Sequence, residues 1–423
     1  MNEQRLFPSS IYPWVVVALL CVVGCLNYLD RMMITTMRLS IVESIPMSEA
    51  QFGLLTSLFL WIYGLLSPLS GFLADRFSRS KVIIISLFVW SLVTLMTSYV
   101  TTFEGLLLTR ALMGISEACY IPAALALIAD YHRGNSRSLA TGIHMGGIMI
   151  GQSLGFIGGW LAEDRTWNYV FFVFGIVGVI YAFILLVTLR DRKPDVVQDD
   201  RLPEKNIGMR EAVRILFSNR SYWLAIGFWG IAGVVTWMIA GWLPTYFQEH
   251  FRLTQRMAGV YATGYFYPAS LVGVILGGFL ADRWSRSHPK GRLLVPIIGL
   301  VVAAPAVFLA SSTQVLPLAI IGFTTYAFTR TFLDANMMPI LCLIVDQRYR
   351  ATGYGIINMV SVSIGGMGIY AGGAIRDAHL DLSTLFRIGS VALLISAALL
   401  YKVKPSVDME RKNQLSDSYD ESK

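Results

Sequence analysis

Twelve separate stretches of this 423-residue chain stay apolar for about twenty residues or more, the length a helix needs to cross roughly 30 Å of hydrocarbon. They lie near 12–36, 49–73, 82–100, 105–129, 138–162, 167–189, 222–247, 257–281, 293–312, 316–341, 350–374 and 384–402. The blocks are apolar all round and lack the polar helix faces of a large soluble enzyme. Composition agrees: 14% of residues are charged, where soluble proteins carry about a quarter. The expected class is an all-α polytopic membrane protein. Tyr12, Trp14, Trp160, Trp167, Tyr222, Trp223 and Tyr401 stand at span ends, where amphipathic rings favour the headgroup region. The first span is too long for a removable signal peptide, lacks its cleavage site, and is expected to remain in the membrane.

Basic residues set the orientation. All eight lysines fall on one side of this topology, with Arg76, Arg79, Arg133, Arg137, Arg283, Arg286, Arg348 and Arg350. The opposite loops hold Arg38, Arg165, Arg252, Arg256, Arg376 and Arg387, mostly beside acids. The positive-inside rule then places both termini in the cytoplasm of a plasma membrane, a bacterial inner membrane by expectation. Topology accounts for the +7 net charge, and nucleic acid is not an expected partner. Cys21, Cys25, Cys119 and Cys342 all lie inside spans, as packing residues without disulfide or metal spacing.

The decapeptide GFLADRFSRS at 71–80 returns as GFLADRWSRS at 278–287. Each copy joins the second and third spans of a six-span set, and the longest polar connector separates the sets. The chain therefore reads as two parallel six-helix halves related by an axis along the membrane normal. Residues 1–189 form the first bundle, 190–221 a linker with a short surface helix near 210–217, 222–402 the second bundle and 403–423 a polar tail.

Charges inside the spans mark the candidate site. NYLDRMM puts Asp30 and Arg31 inside span 1 or at its outer edge, and TRALMGISEACYIPA buries Arg110 and Glu117 seven apart in span 4, close to one helical face. Each costs at least about 2.5–3.5 kcal/mol at midplane on insertion scales, so the four are expected to share a polar cavity. Burial and a nearby arginine pull the protonation of Glu117 in opposite senses, which suits a coupling proton. Span 10 carries Arg330 and Asp334 one turn apart; the pair is either self-contained or offers Arg330 as a second cation to an anionic substrate. His144, the one histidine deep in a span, is open to a packing role or to substrate contact. A membrane enzyme would need a nucleophile–base pair or a metal cluster, and neither is visible. A non-transporting sensor would be expected to carry a signalling domain or to have lost the coupling acids.

GFLADRFSRSK, Gly71 to Lys81, resembles the signature loop of the major facilitator superfamily, with 278–287 as its echo. The resemblance implies that family's fold of twelve helices in two pseudo-symmetric bundles. It also implies a latch on the cytoplasmic face, carried by Asp75, Arg76 and Arg79 and by Asp282, Arg283 and Arg286. NYLDR, the Arg–Glu pair of span 4 and WLPTYF at 242–247 look like the anion:cation symporters. That likeness implies Asp30 and Glu117 as proton-coupling acids and Arg31 and Arg110 as their partners or the substrate's. It further implies substrate contacts from Tyr63 and Asn358, beside Arg330 and His144. Two departures stand out: Glu117-Ala118 is followed by Cys119 where that family has proline, and a span 5 glutamine near Ile148 is absent. The same four charges also occur in spinster-like lysolipid and sphingolipid carriers, and IADYHRGNSRS fits either group. The expected function is proton symport of a small organic anion, such as a hexonate, hexuronate or sialate, by a monomer amid membrane lipid and without a cofactor. The alternative is a spinster-type lipid carrier.

Overall fold

The computed structural model describes residues 11–132, 136–192, 209–288, 290–346 and 349–404, in which every regular element is a helix. The first half contains α1 (Tyr12–Thr36), α2 (Arg38–Ser44), α3 (Glu49–Arg76), α4 (Arg79–Thr97), α5 (Phe103–Ala118), α6 (Tyr120–Tyr131), α7 (Ser136–Ser153), α8 (Phe156–Asp164) and α9 (Trp167–Thr188). The linker contributes α10 (Met209–Ser218). The second half contains α11 (Arg220–His250), α12 (Gln255–Gly259), α13 (Phe266–Ser285), α14 (Gly291–Ser312), α15 (Leu316–Ile344), α16 (Arg350–Asp377) and α17 (Leu382–Tyr401). A π-helical turn, Val260–Gly264, joins α12 to α13. Twelve helical segments of the described residues are long and apolar enough to span a membrane. This is a multi-pass membrane protein.

Local chemistry starts and breaks these helices. Ser48 and Gln51 form a reciprocal capping box at α3, and Thr102, Thr166 and Thr254 cap α5, α9 and α12. Span 4 breaks between α5 and α6 because Pro122 has no N–H for the carbonyl of Ala118 and its ring crowds that turn. Pro268 acts the same way on Gly264, the last residue of the π turn. Close approach needs glycine where α7 crosses α1: a Cβ at Gly151 would stand 2.1 Å from the Cys25 carbonyl oxygen.

Both decapeptides lie on one face of the bundle, called here the decapeptide face; the opposite one is the far face. The halves meet along α3 with α16 and along α7 with α13. Near the middle, Ser57 donates to the Gly366 carbonyl (2.7 Å) and Trp61 Nε1 to the Ser363 carbonyl (2.9 Å). Further contacts between halves lie toward the far face, where Gln255 bonds Ser40 and Gly159, and Arg256 pairs with Asp164. Toward the decapeptide face this cover is lost: Tyr354 of α16 is 40% exposed, and nothing lies within 4 Å of a Cβ built at Gly355. The bundle is shut on the far face.

Candidate transport site

Asp30 and Arg31 sit in the last third of α1, six and five residues before its end at Thr36, and Glu117 is the penultimate residue of α5, next to the break that Pro122 causes. Arg31 Nε donates to Glu117 Oε2 at 2.7 Å, with both side chains buried. Three rings box the guanidinium: its Cζ lies 4.5 Å from the ring centre of Tyr28, 4.9 Å from Phe59 and 4.4 Å from Tyr63. A cation held against ring faces is stabilised by about 2 kcal/mol or more when desolvated, which offsets part of the cost of burying it.

Asp30 faces another neighbour. Thr94 of α4 donates to its Oδ2 at 3.0 Å, while Oδ1 has no protein partner. Arg31 Nη2, Glu117 Oε1 and the Asn27 amide are likewise buried without a partner. Buried polar atoms are rarely left so, and around this ion pair they represent hydrogen-bonding capacity that no protein group takes up.

Arg110 shares the α5 face with Glu117 but bonds elsewhere. Its Nη2 reaches the sulfur of Met113 (3.3 Å), and its Cζ lies 5.5 Å from the Phe59 ring centre. The structure thus gathers Asp30, Arg31, Tyr63, Arg110 and Glu117 into one region of the first half. Tyr28, Phe59, Asn27 and Thr94 join them, none of them singled out by sequence. Tyr28 adjoins Asn27 in NYLDR and was within reach of a closer reading; Thr94 carries no signal in an otherwise apolar span.

The other sequence candidates lie apart. His144 is fully buried, edge-on to Tyr120 (5.9 Å between ring centres) and against Gly24, so no substrate reaches it in this conformation. Arg330 bonds Asp334 within α15 at 2.7 Å, the self-contained arrangement. Asn358 is half-buried on α16 and makes no side-chain hydrogen bond among the described residues. A link from the second half to the Arg31 region runs through Tyr267 of α13, whose hydroxyl reaches the sulfur of Met32 at 3.1 Å. Tyr267 also lines a mainly apolar cleft of about 230 Å³ between α7 and α13, with Met149, Ile150, Leu154, Pro268 and Leu271.

The decapeptide residues bond within their own halves or, for Ser78 and the Ser80 N–H, to Asp191 at the start of the linker, where their contacts are described. Arg79 pairs with Asp130, and Asp282 with Arg292 at 3.3 Å. Arg76, Arg283 and Arg286 are exposed, and the side chain of Asp75 lies outside the described residues. On the far face, by contrast, four charges from both halves alternate in sign. Arg38 of α2 pairs with Glu49 of α3 and, at 3.5 Å, with Glu249 of α11. Arg376 of α16 grips Glu249 with two nitrogens (2.7 and 2.8 Å) and meets Glu49 at 3.2 Å. Asp377 completes the closure by accepting from the backbone N–H groups of Glu49 (2.9 Å) and Ala50 (3.0 Å).

Two six-helix halves, shut on one face around buried charges, define a secondary transporter of the membrane. The chain belongs to the Major Facilitator Superfamily, whose family model matches residues 20–369. Its relatives include Protein spinster homolog 3 of Danio rerio, 30% identical over 86% of this chain and 77% of that protein. Protein spinster of Drosophila melanogaster is 27% identical over 88% of this chain and 65% of its own. Among solved structures, a bacterial homolog to the human lysosomal transporter Spinster, inward-facing and unoccupied, superposes with a TM-score of 0.76 at 23% identity, covering 93% of this chain and 95% of that one. Spinster proteins are thus among the relatives that the comparison brings out.

Proposed function

We propose that this transporter is a spinster-type carrier of an amphiphile with an anionic headgroup, of the lysolipid class, driven by protons. The observation that carries the reading is the Arg31–Glu117 pair at 2.7 Å inside its aromatic box. An arriving phosphate or carboxylate competes with Glu117 for the same guanidinium. Protonating Glu117 frees Arg31 for the headgroup, and losing that proton restores the pair and expels it. Proton and anion are thereby linked through one arginine. Asp30, with one oxygen unpartnered, is placed to hold a second proton.

The cleft between α7 and α13 favours an amphiphile over a sugar acid. It is mainly apolar, lies on the seam between the halves, and is walled on one side by Tyr267, whose hydroxyl meets Met32, the neighbour of Arg31 in α1. A tail laid along the seam keeps its apolar surface out of water while the headgroup sits at Arg31. A hexuronate has no group to place there. The basic-residue bias supports a cytoplasmic decapeptide face, and with it a cytoplasmic open side.

Counterflow in proteoliposomes tests this. Vesicles preloaded with a lysophospholipid should accumulate labelled lysophospholipid, with a rate that depends on pH, and excess hexuronate should not compete. Competition by hexuronate, with no lysolipid counterflow, would return the reading to a sugar-acid symporter.

A further inference from the structure

A second amphipathic site lies away from the seam. Leu280, Arg283, Trp284 and Ser287 recur at helical spacing along one face of α13 and the turn beyond it. They border a pocket of about 400 Å³ that α14 and α15 complete with Val295, Ile298 and Phe332. Val295 and Phe332 are buried, whereas Leu280, Trp284 and Ile298 are 36%, 40% and 44% exposed. Polarity changes along the pocket. Ile298 stands seven residues, about 10 Å, into the membrane from the start of α14 at Gly291. Arg283 and Ser287 occupy the end at the decapeptide face, and the Trp284 indole lies between, at the depth that interfacial tryptophans favour.

The cation at the mouth is not spoken for. Its neighbour Asp282 pairs with Arg292 at 3.3 Å, and Arg283 makes no hydrogen bond or ion pair among the described residues. We infer that this pocket holds an anionic glycerophospholipid of the adjoining leaflet, with its phosphate at Arg283 and Ser287 and an acyl chain along Leu280, Val295 and Ile298. Charge selects the headgroup, and the apolar walls require a chain that free phosphate lacks. The site lies on the perimeter of the second half, apart from Arg31 and Glu117, so it stands whatever the cargo proves to be.

Brominated lipids quench a tryptophan that they touch. With ten tryptophans in the chain, the Trp284 signal is the difference between wild type and Trp284→Phe, each full-length in nanodiscs. Dibromo-phosphatidylglycerol should half-quench that signal at a mole fraction about fivefold lower than dibromo-phosphatidylcholine, the discrimination one basic residue provides near an anionic headgroup. Arg283→Gln should abolish the preference and Arg283→Lys keep it. Ile298→Asn, which makes the tail groove polar, should weaken quenching by both lipids. Millimolar inorganic phosphate should displace neither. Equal quenching by the two lipids in wild type, an unchanged preference in Arg283→Gln, or displacement by phosphate would each overturn the assignment.

Discussion

Asp377, the last residue of α16, caps a helix belonging to the other half of the molecule: its carboxylate accepts from the backbone N–H of Glu49 at 2.9 Å and of Ala50 at 3.0 Å. Ser48 satisfies the third N–H of that helix, at Gln51. The cap exists only while the far face is shut. Asp377→Ala should therefore weaken closure by about 1 kcal/mol, the usual worth of a helix cap, and shift the equilibrium about fivefold toward opening. The measurement is maleimide labelling from the far face at Ser57→Cys, a position fully buried in the closed form, with the four native cysteines replaced. Unchanged labelling would show that the cap does not hold the gate.

Glu117→Gln removes the carboxylate that competes for Arg31. Uptake driven by a pH gradient should fall to the equilibrium ratio, while exchange of cargo at equal pH continues, because coupling is lost and binding is not. Accumulation against a gradient by this variant would remove Glu117 from the coupling step.

Arg31→Ala strands a buried carboxylate, at a cost to stability of about 3–5 kcal/mol. Combining it with Glu117→Gln should recover most of that loss in thermal unfolding yet leave transport absent, since the headgroup still lacks its cation. A double variant as unstable as the sum of the single ones would mean that the two side chains are not energetically coupled.

His144→Phe should keep both folding and transport. Both ring nitrogens are buried without a partner, so their removal breaks no hydrogen bond and the edge contact with Tyr120 persists. Loss of pH-dependent transport with normal expression would assign the imidazole a part in proton movement.

The spans and their pairing into halves were legible because hydrocarbon thickness sets a length that hydropathy reports directly. Helix ends were less so: α3 runs on to Arg76, past the apolar limit near residue 73, because backbone bonding continues where apolarity stops. The breaks after Ala118 and Ser153 and the π turn at Val260–Gly264 went unseen, since an apolar window does not register backbone hydrogen bonds. Pro122 and Pro268 were the available signals. The charges of spans 1 and 4 announced themselves by their cost in the membrane, but their pairing did not. The shared face of Arg110 and Glu117 is real, yet Glu117 turns to Arg31, 86 residues away in sequence. Arg38 and Arg376 read as loop charges beside acids, although their partners include Glu249 and Glu49, brought near only by the closed far face.

The break in span 4 turns a chemical event into a mechanical one. Glu117 lies at the joint where two rigid rods, α5 and α6, meet without a continuous hydrogen-bond ladder. The Arg31 bond to Glu117 clamps that joint to α1. The twelve residues of α6 reach about 18 Å from it, so a swing of about 10° at the joint carries their far end about 3 Å. That is lever-arm geometry: a swing released by breaking the one 2.7 Å bond would have its largest displacement at the opposite end of the rod, at Asp130, where Arg79 of the first decapeptide is attached.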